Sequence, residues 1–422
     1  MLKIVRFTCA GLDVHKDLIV ATIGITDKKT CVTEYHQRNF KTLNYDLHNL
    51  LNWLISYDCF EVCMESTGKY WIPVFNVLEE NENMKPILVH PKYVKAIKGK
   101  KTDKKDSKWI CELFKHDLVK SSFIPPKDIR ALRELCRYRY KLIGMRSSER
   151  NRYQNSMTVS NIGLASTLSD PFGKTAKNIM SEVLESQIID DKKIKKLIHG
   201  SCKNKEDILK SIQDIKLEPD QRFKMNEVSK HMNELDQHIE SCETEILKIA
   251  APHFNQFVHI TEITGIRLLS AIMIISEIGV DMTQFESAKQ LTCWAGLTPA
   301  DNESAKKKKS VRINKAGQYL KPLLVQCALA SIKNKNSYFG HKYLRIKKRR
   351  GHKKAIIAIS RMMLVSIYHM ILTGETFNPS DYESFKNPKP VKQKQLTVEK
   401  ATEFLKNLGY EVTFSTSENA KQ

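Results

Sequence analysis

The feature that most constrains the fold is a repeated switch of hydrophobic period over roughly the first ninety residues. KIVRFTCAGLD (3–13) and LIVATIGI (18–25) are β-rich runs separated by VHKD, and TCVTEYH offers a third. YDLHNLLNWLISY then carries Leu47, Leu50, Leu51, Leu54 and Ile55 at helical spacing. CFEVCME reads as a short buried strand, followed by a helix over about 69–79 and a strand at PILVH. Three strands, helix, strand, helix, strand is an order that suits a mixed sheet with helices packed on it.

That order suits the arrangement of RNase H-like nucleases, and what matters is where the acids fall in it. Asp13 ends the first strand in GLDVHK, and Glu65 ends the fourth in VCMESTG. Asp103 and Asp106 lie three apart in KTDKKDSKW, opening a helix with apolar positions Trp109, Ile110, Leu113 and Leu118, so both point from one face. Strand-end carboxylates and a helical pair can converge on a hard cation, for which magnesium or manganese with oxygen ligands is the expectation. Taken singly, a strand-end acid serves a turn and first-turn acids favour the helix dipole. Taken together they sit among Lys92, Lys95, Lys98, Lys100, Lys101, Lys104, Lys105 and Lys108, a setting that suits phosphate and metal held side by side.

Charge points to the same partner. The chain has 69 basic and 47 acidic residues, and 17 Lys or Arg against two acids lie between Asp301 and Lys354. A segment this one-sided repels itself, and an extended polyanion is its natural partner rather than a small acidic substrate. The stretch 355–374 imitates a membrane span, but Arg361 inside it costs at least about 2.5–3.5 kcal/mol on insertion scales. A buried amphipathic helix is therefore expected, and no membrane partner. Ten scattered cysteines show no paired zinc-ligand spacing, and the amino terminus lacks a long apolar core. Reduced thiols in a cytoplasmic protein are the expectation.

From Val228 the apolar positions Val228, Met232, Leu235, Ile239, Cys242, Ile246 and Ile249 alternate by four and three, a heptad seam. An earlier helix over about 127–157 carries Leu132, Leu135, Leu142 and Met145. An internal helical hairpin or a joint between protomers explains the pair, and the seam is expected to join protomers as well. Residues 160–220 read as polar and helical at best. TEITGIRLLSAIMIISEIG reads as helix, glycine turn, helix, which either packs or presents amides to a phosphate. Within DNESAKKKKSVRINKAG, Ser304 is either an ordinary loop residue or a hydroxyl held against a phosphate.

GLDVHK, MESTGKYW and KTDKKDSKW together resemble the amino-terminal half of the DEDD transposases of the insertion sequence 110 family. The resemblance continues through ITGIRLLSAIMIISEIG, FESAKQLTCWAGLTPADNES and VRINKAGQYLKPLLVQCAL, and so covers most of residues 5–375. It implies a RuvC/RNase H-like domain (1–122), a helical coiled-coil middle (123–257), a mainly helical basic carboxy-terminal domain with a catalytic serine (258–378), and a linker with a small tail (379–422). It also implies that Asp13, Glu65, Asp103 and Asp106 bind magnesium, and that Ser304 attacks a DNA phosphodiester to give a phosphoserine from which strands are exchanged and religated. Lys100, Lys101, Lys104, Lys105, Lys306, Lys307, Lys308, Lys309, Arg312 and Lys315 are the expected nucleic-acid contacts. Further implications are a structured non-coding guide RNA and a homo-oligomer, dimeric alone and tetrameric on DNA. A metal-dependent junction nuclease without a covalent intermediate, and a non-catalytic nucleic-acid binder, are the other classes the residues leave open.

Overall fold

The computed structural model describes residues 2–65, 68–91, 103–186, 190–202, 204–299 and 315–382, with 302–304, 307–310, 312, 313, 402, 406 and 411 besides. The chain forms two compact units, one of residues 1–253 and 275–284 and one of residues 254–274 and 285–422.

The first unit opens with β1 (Thr8–Val14), β2 (Ile19–Thr26), β3 (Thr33–Phe40), α1 (Asn44–Ile55), β4 (Glu61–Glu65), α2 (Trp71–Leu78), β5 (Lys85–Val89) and α3 (Asp103–Lys115). The element order is the one the period switches predict. The sheet runs β3-β2-β1-β4-β5, with β1 antiparallel to β2, β2 antiparallel to β3, and β1, β4 and β5 parallel. Strands β1 and β2 are covered on both faces and so read as near-continuous apolar runs. Edge strand β3 carries polar residues along an exposed face, which blunts edge-to-edge pairing. Ala10, Leu12, Val14, Val62 and Met64 form one core with Leu47, Leu50 and Leu54 of α1 and Val74 and Leu78 of α2. Cys9, Cys63 and Val89 join a second cluster with Ile110, Cys111 and Phe114 of α3. Helix α3 stops at Lys115, so Leu118, read above as part of its apolar stripe, lies beyond it and is 52% exposed.

Two long helices follow, α4 (Lys127–Val159) and, after four short helices, α9 (Pro219–Ala250). They run antiparallel, since Asp128 meets His253, Arg139 meets Glu243, Arg146 meets Asp236 and Glu149 meets His231. The seam positions Leu235, Ile239, Cys242 and Ile246 are buried, and Leu132, Cys136 and Leu142 of α4 are buried as well. The heptad pattern is thus covered inside one chain as a helical hairpin, and it no longer argues by itself for a joint between protomers. Met145, grouped above with the apolar face of α4, is 52% exposed.

Residues 160–218 are more than polar filler. Helices α5 (Leu164–Thr167), α6 (Lys174–Glu185), α7 (Asp191–Leu197) and α8 (Lys205–Lys210) enclose a small core of Leu164, Ile179, Val183, Ile194 and Ile208, closed by Tyr153, Met157 and Met225 of the hairpin.

The second unit contains α10 (Phe254–Ile260), the start of α11 (Leu268–Ile278), α12 (Ala288–Trp294), the hairpin strands β6 (Asn302–Ser304) and β7 (Lys307–Ser310), α13 (Leu320–Ser331), α14 (Tyr338–Arg350) and α15 (His352–Thr373). By length and composition α15 could cross a membrane, yet it buries Ile356, Ile359, Met363, Leu364 and Ile367 and leaves Arg361 and His369 exposed. It is an amphipathic core helix of this unit. Gly265, in the turn before α11, has φ +97°, and a Cβ there would lie 2.5 Å from the Cys327 carbonyl oxygen and 2.8 Å from Ser331. That turn is a close-packing device.

Candidate active site

The acidic site is built by the approach of α3 to β1. Side chains alternate along a strand, so Cys9, Gly11 and Asp13 share the face of β1 opposite Ala10, Leu12 and Val14. Gly11 lies under the helix: a Cβ there would sit 2.3 Å from the Cys111 nitrogen and 2.4 Å from the Ser107 carbonyl oxygen. Only the absence of a side chain lets α3 backbone rest on the sheet. The seat is fixed by a buried hydrogen bond of 2.7 Å between the hydroxyls of Thr22 and Ser107. Gln37 on β3 clamps it further, donating to Thr22 Oγ1 and to the Lys104 carbonyl, each at 2.8 Å. The helix therefore begins beside the carboxy end of β1, with Asp103 and Asp106 in its first turn.

Asp13 and Asp103 come together there around His15, while Glu65 and Asp106 lie outside that cluster. His15 Nε2 is 3.2 Å from Asp13 Oδ2 and 3.7 Å from Asp103 Oδ1. One donor atom each from Asp13, His15 and Asp103 lie within 4.8 Å of one another. Asp13 is 6% exposed, and burial pushes its carboxyl above the ordinary range. The His15 ring opposes that rise, while the charges of Asp103 and Asp106 add to it. Leu12 pairs with Met64, so Asp13 and Glu65 occupy the next step at the carboxy ends of adjacent parallel strands. Two carboxyls and an imidazole at this spacing, with a third acid close enough to be felt, suit a divalent cation. Its charge would offset both the burial of Asp13 and the mutual repulsion of the acids.

His15 stands in this candidate group although it is not among the residues expected from the sequence. Its signal was present in GLDVHK, because an extended chain returns to the same side after two residues.

The expected lysines divide. Lys104 and Lys105 are exposed on the first turns of α3, and Lys108 lies over the Tyr35 ring at 4.0 Å. Lys100, Lys101 and Lys306 lie outside the described residues, as do Lys92, Lys95 and Lys98. Lys307, Lys308 and Lys309 form β7, and Arg312 and Lys315 are exposed beyond it.

Ser304 is not in an irregular loop. It is the last residue of β6 and pairs with Lys307, while Glu303 pairs with Lys308 and an isolated bridge joins Pro299 to Ile313. The serine stands at the end of a β-hairpin whose return strand is lysine-rich.

Fold and site define a class: an α/β domain with Asp13, His15 and Asp103 gathered where β1 ends and α3 begins, followed by a lysine-rich hairpin among helices. Residues 10–161 match the DEDD transposases of insertion sequence 110, and residues 258–344 match the transposase IS116/IS110/IS902 family. The two segments together take in more than half of the chain, which belongs to the insertion sequence 110 family of transposases. A 137-residue segment is 28% identical to the transposase for insertion sequence element IS1111A of Coxiella burnetii (strain RSA 493 / Nine Mile phase I). That segment covers 32% of this chain and 37% of the relative.

Proposed function

We propose that the protein is a transposase acting as a site-specific DNA recombinase: it cuts and rejoins DNA strands to move an insertion sequence, with Ser304 as nucleophile. The observation that carries this reading is the convergence of Asp13, His15 and Asp103 from β1, its following turn and α3. The sheet order, with acids at the ends of β1 and β4, supports a RuvC/RNase H-like amino-terminal domain.

Ser304 Oγ attacks a phosphodiester phosphorus. The Oγ–P bond forms as one P–O bond to sugar breaks, and the departing sugar oxygen takes up the proton the serine loses. The phosphoester is conserved on the protein, so religation to a new strand needs no further energy source. Asp13, Glu65, Asp103 and Asp106, with His15, would hold magnesium or manganese, which when bound supplies Lewis-acid stabilisation of charge on the phosphate. Lys307, Lys308, Lys309, Arg312 and Lys315, with Lys104 and Lys105, hold the backbone of the nucleic acid by charge. A structured guide RNA and an assembly of protomers, dimeric alone and tetrameric on DNA, belong to this reading on the resemblance, as do the three-part domain division and a cytoplasmic site of action.

The test is a denaturant-quenched reaction with DNA, guide RNA and magnesium. A protein–DNA adduct mapping to Ser304, absent from Ser304→Ala although that variant still binds DNA, is the expected result. Cutting without an adduct, at near wild-type rate in Ser304→Ala, would assign the junction-nuclease mechanism instead.

A further inference from the structure

Helices α14 and α15 meet at a corner made by a single residue, Gly351, with φ +79°. Arg345, the run KKRR at 347–350, and Lys353 with Lys354 surround that corner, and all seven are exposed. No acidic residue occurs anywhere between Glu303 and Glu375 in the sequence. Among the described residues none of the seven is ion-paired to a carboxylate; Lys347 lies 5.7 Å from the Tyr343 ring centroid. The buried faces of both helices are occupied by Phe339, Tyr343, Ala355 and Ile356, so all seven cations stand on the outer surface. The Tyr343 hydroxyl and His352 Nδ1 are hydrogen-bonded at 2.7 Å across the corner.

Helix stability accounts for part of this pattern. Cations in the last turn of α14 complement its dipole, whereas Lys353 and Lys354 stand in the first turn of α15, where the dipole opposes them. Their placement works against folding twice, through the dipole and through five like charges next door. A surface held against its own repulsion is suited to a polyanion.

We infer that the α14–α15 corner is a clamp for the phosphodiester backbone of a nucleic acid, separate from the Ser304 hairpin and blind to base sequence. The inference rests on the nucleic-acid reading above and names a surface that reading does not require. Phosphate neutralisation releases counterions, so the clamp is read from the slope of log binding constant against log salt, about 0.9 per contact on duplex and about 0.7 on single strands.

The experiment measures that slope for full-length protein on a random-sequence DNA duplex and on single-stranded RNA of equal length. The triple variant Arg349→Gln/Lys353→Gln/Lys354→Gln is compared with Lys192→Gln/Lys195→Gln/Lys196→Gln on exposed α7, which changes net charge equally. The corner variant is expected to lower the slope by about 2.7 on duplex or about 2.1 on RNA, and the arm that responds names the strand held. The α7 variant is expected to leave it unchanged, and Lys353→Arg/Lys354→Arg to preserve it, with matching thermal unfolding in all three. Equal slope losses in the corner and α7 variants would overturn the clamp, because charge would then act diffusely. So would an unchanged slope in the corner variant on both nucleic acids. Failure of the serine chemistry shows in adduct formation and leaves these slopes as they are, so the two ideas fail separately.

Discussion

Replacing Gly11 by alanine tests the whole construction of the acidic site with one methyl group. Its Cβ would lie 2.3 Å from the Cys111 nitrogen and 2.4 Å from the Ser107 oxygen, and both are backbone atoms that cannot rotate away. Ordinary contact begins at 3.4 Å, so α3 must retreat by about 1 Å. Such overpacking costs about 1–3 kcal/mol. The same retreat stretches the 2.7 Å hydrogen bond between Thr22 and Ser107 beyond bonding range, adding about 1 kcal/mol because each hydroxyl keeps another partner. Gly11→Ala should therefore lose about 2–4 kcal/mol in urea unfolding. It should also respond less to manganese, since Asp103 moves with the helix away from Asp13 and His15. A site at one hundred times its dissociation constant stabilises by about 2.7 kcal/mol, and the variant should show a fraction of that. Gly144→Ala is the control, because it sits on α4 with nothing within 4 Å and should be neutral or slightly stabilising. If Gly11→Ala unfolds with the wild type and gains as much from manganese, α3 is not seated on β1 as described, and the acid cluster falls with it.

Asp106→Asn should keep its unfolding free energy within about 0.5 kcal/mol of wild type while losing strand exchange; full magnesium-dependent exchange would remove Asp106 from the site. Glu277 is 6% exposed and takes two hydrogen bonds from Arg137, at 2.7 and 2.8 Å, beside Arg133, whose guanidinium burial pulls down to about 10. Glu277→Gln removes the carboxylate charge that Arg137 grips and should cost about 2–3 kcal/mol in urea unfolding, whereas a loss below about 0.5 kcal/mol would show the pairing to be idle. Asp281 accepts from the Thr283 hydroxyl at 2.6 Å and its N–H at 2.9 Å, which hold its carboxyl below the ordinary 3.8. The stability it adds is present above 3.8 and lost as pH falls through the lowered folded value, so Asp281→Asn should flatten the acid limb of a stability–pH profile; an unaltered limb would contradict it.

The order of strands and helices in the amino-terminal sheet was legible in the residues alone, because hydrophobic period is a local property that the first 90 residues display openly. So were the places of Asp13 and Glu65 at strand ends and of Asp103 and Asp106 at the opening of a helix, since each follows from the residue's place in its own element. The resemblance in GLDVHK, MESTGKYW and KTDKKDSKW was legible too, and the family matches agree with it. Packing between distant segments set what no local pattern records. The heptad seam of α9 could be covered by a second protomer, by a fold-back or by both, and only the antiparallel seating of α4 shows the fold-back, because the same apolar stripe serves any of these partners. His15 entered the acidic group only when α3 brought Asp103 to it. Gly11 looked like any strand glycine until the helix lay on it; closeness between segments about a hundred residues apart is a three-dimensional fact, set by packing and not by spacing.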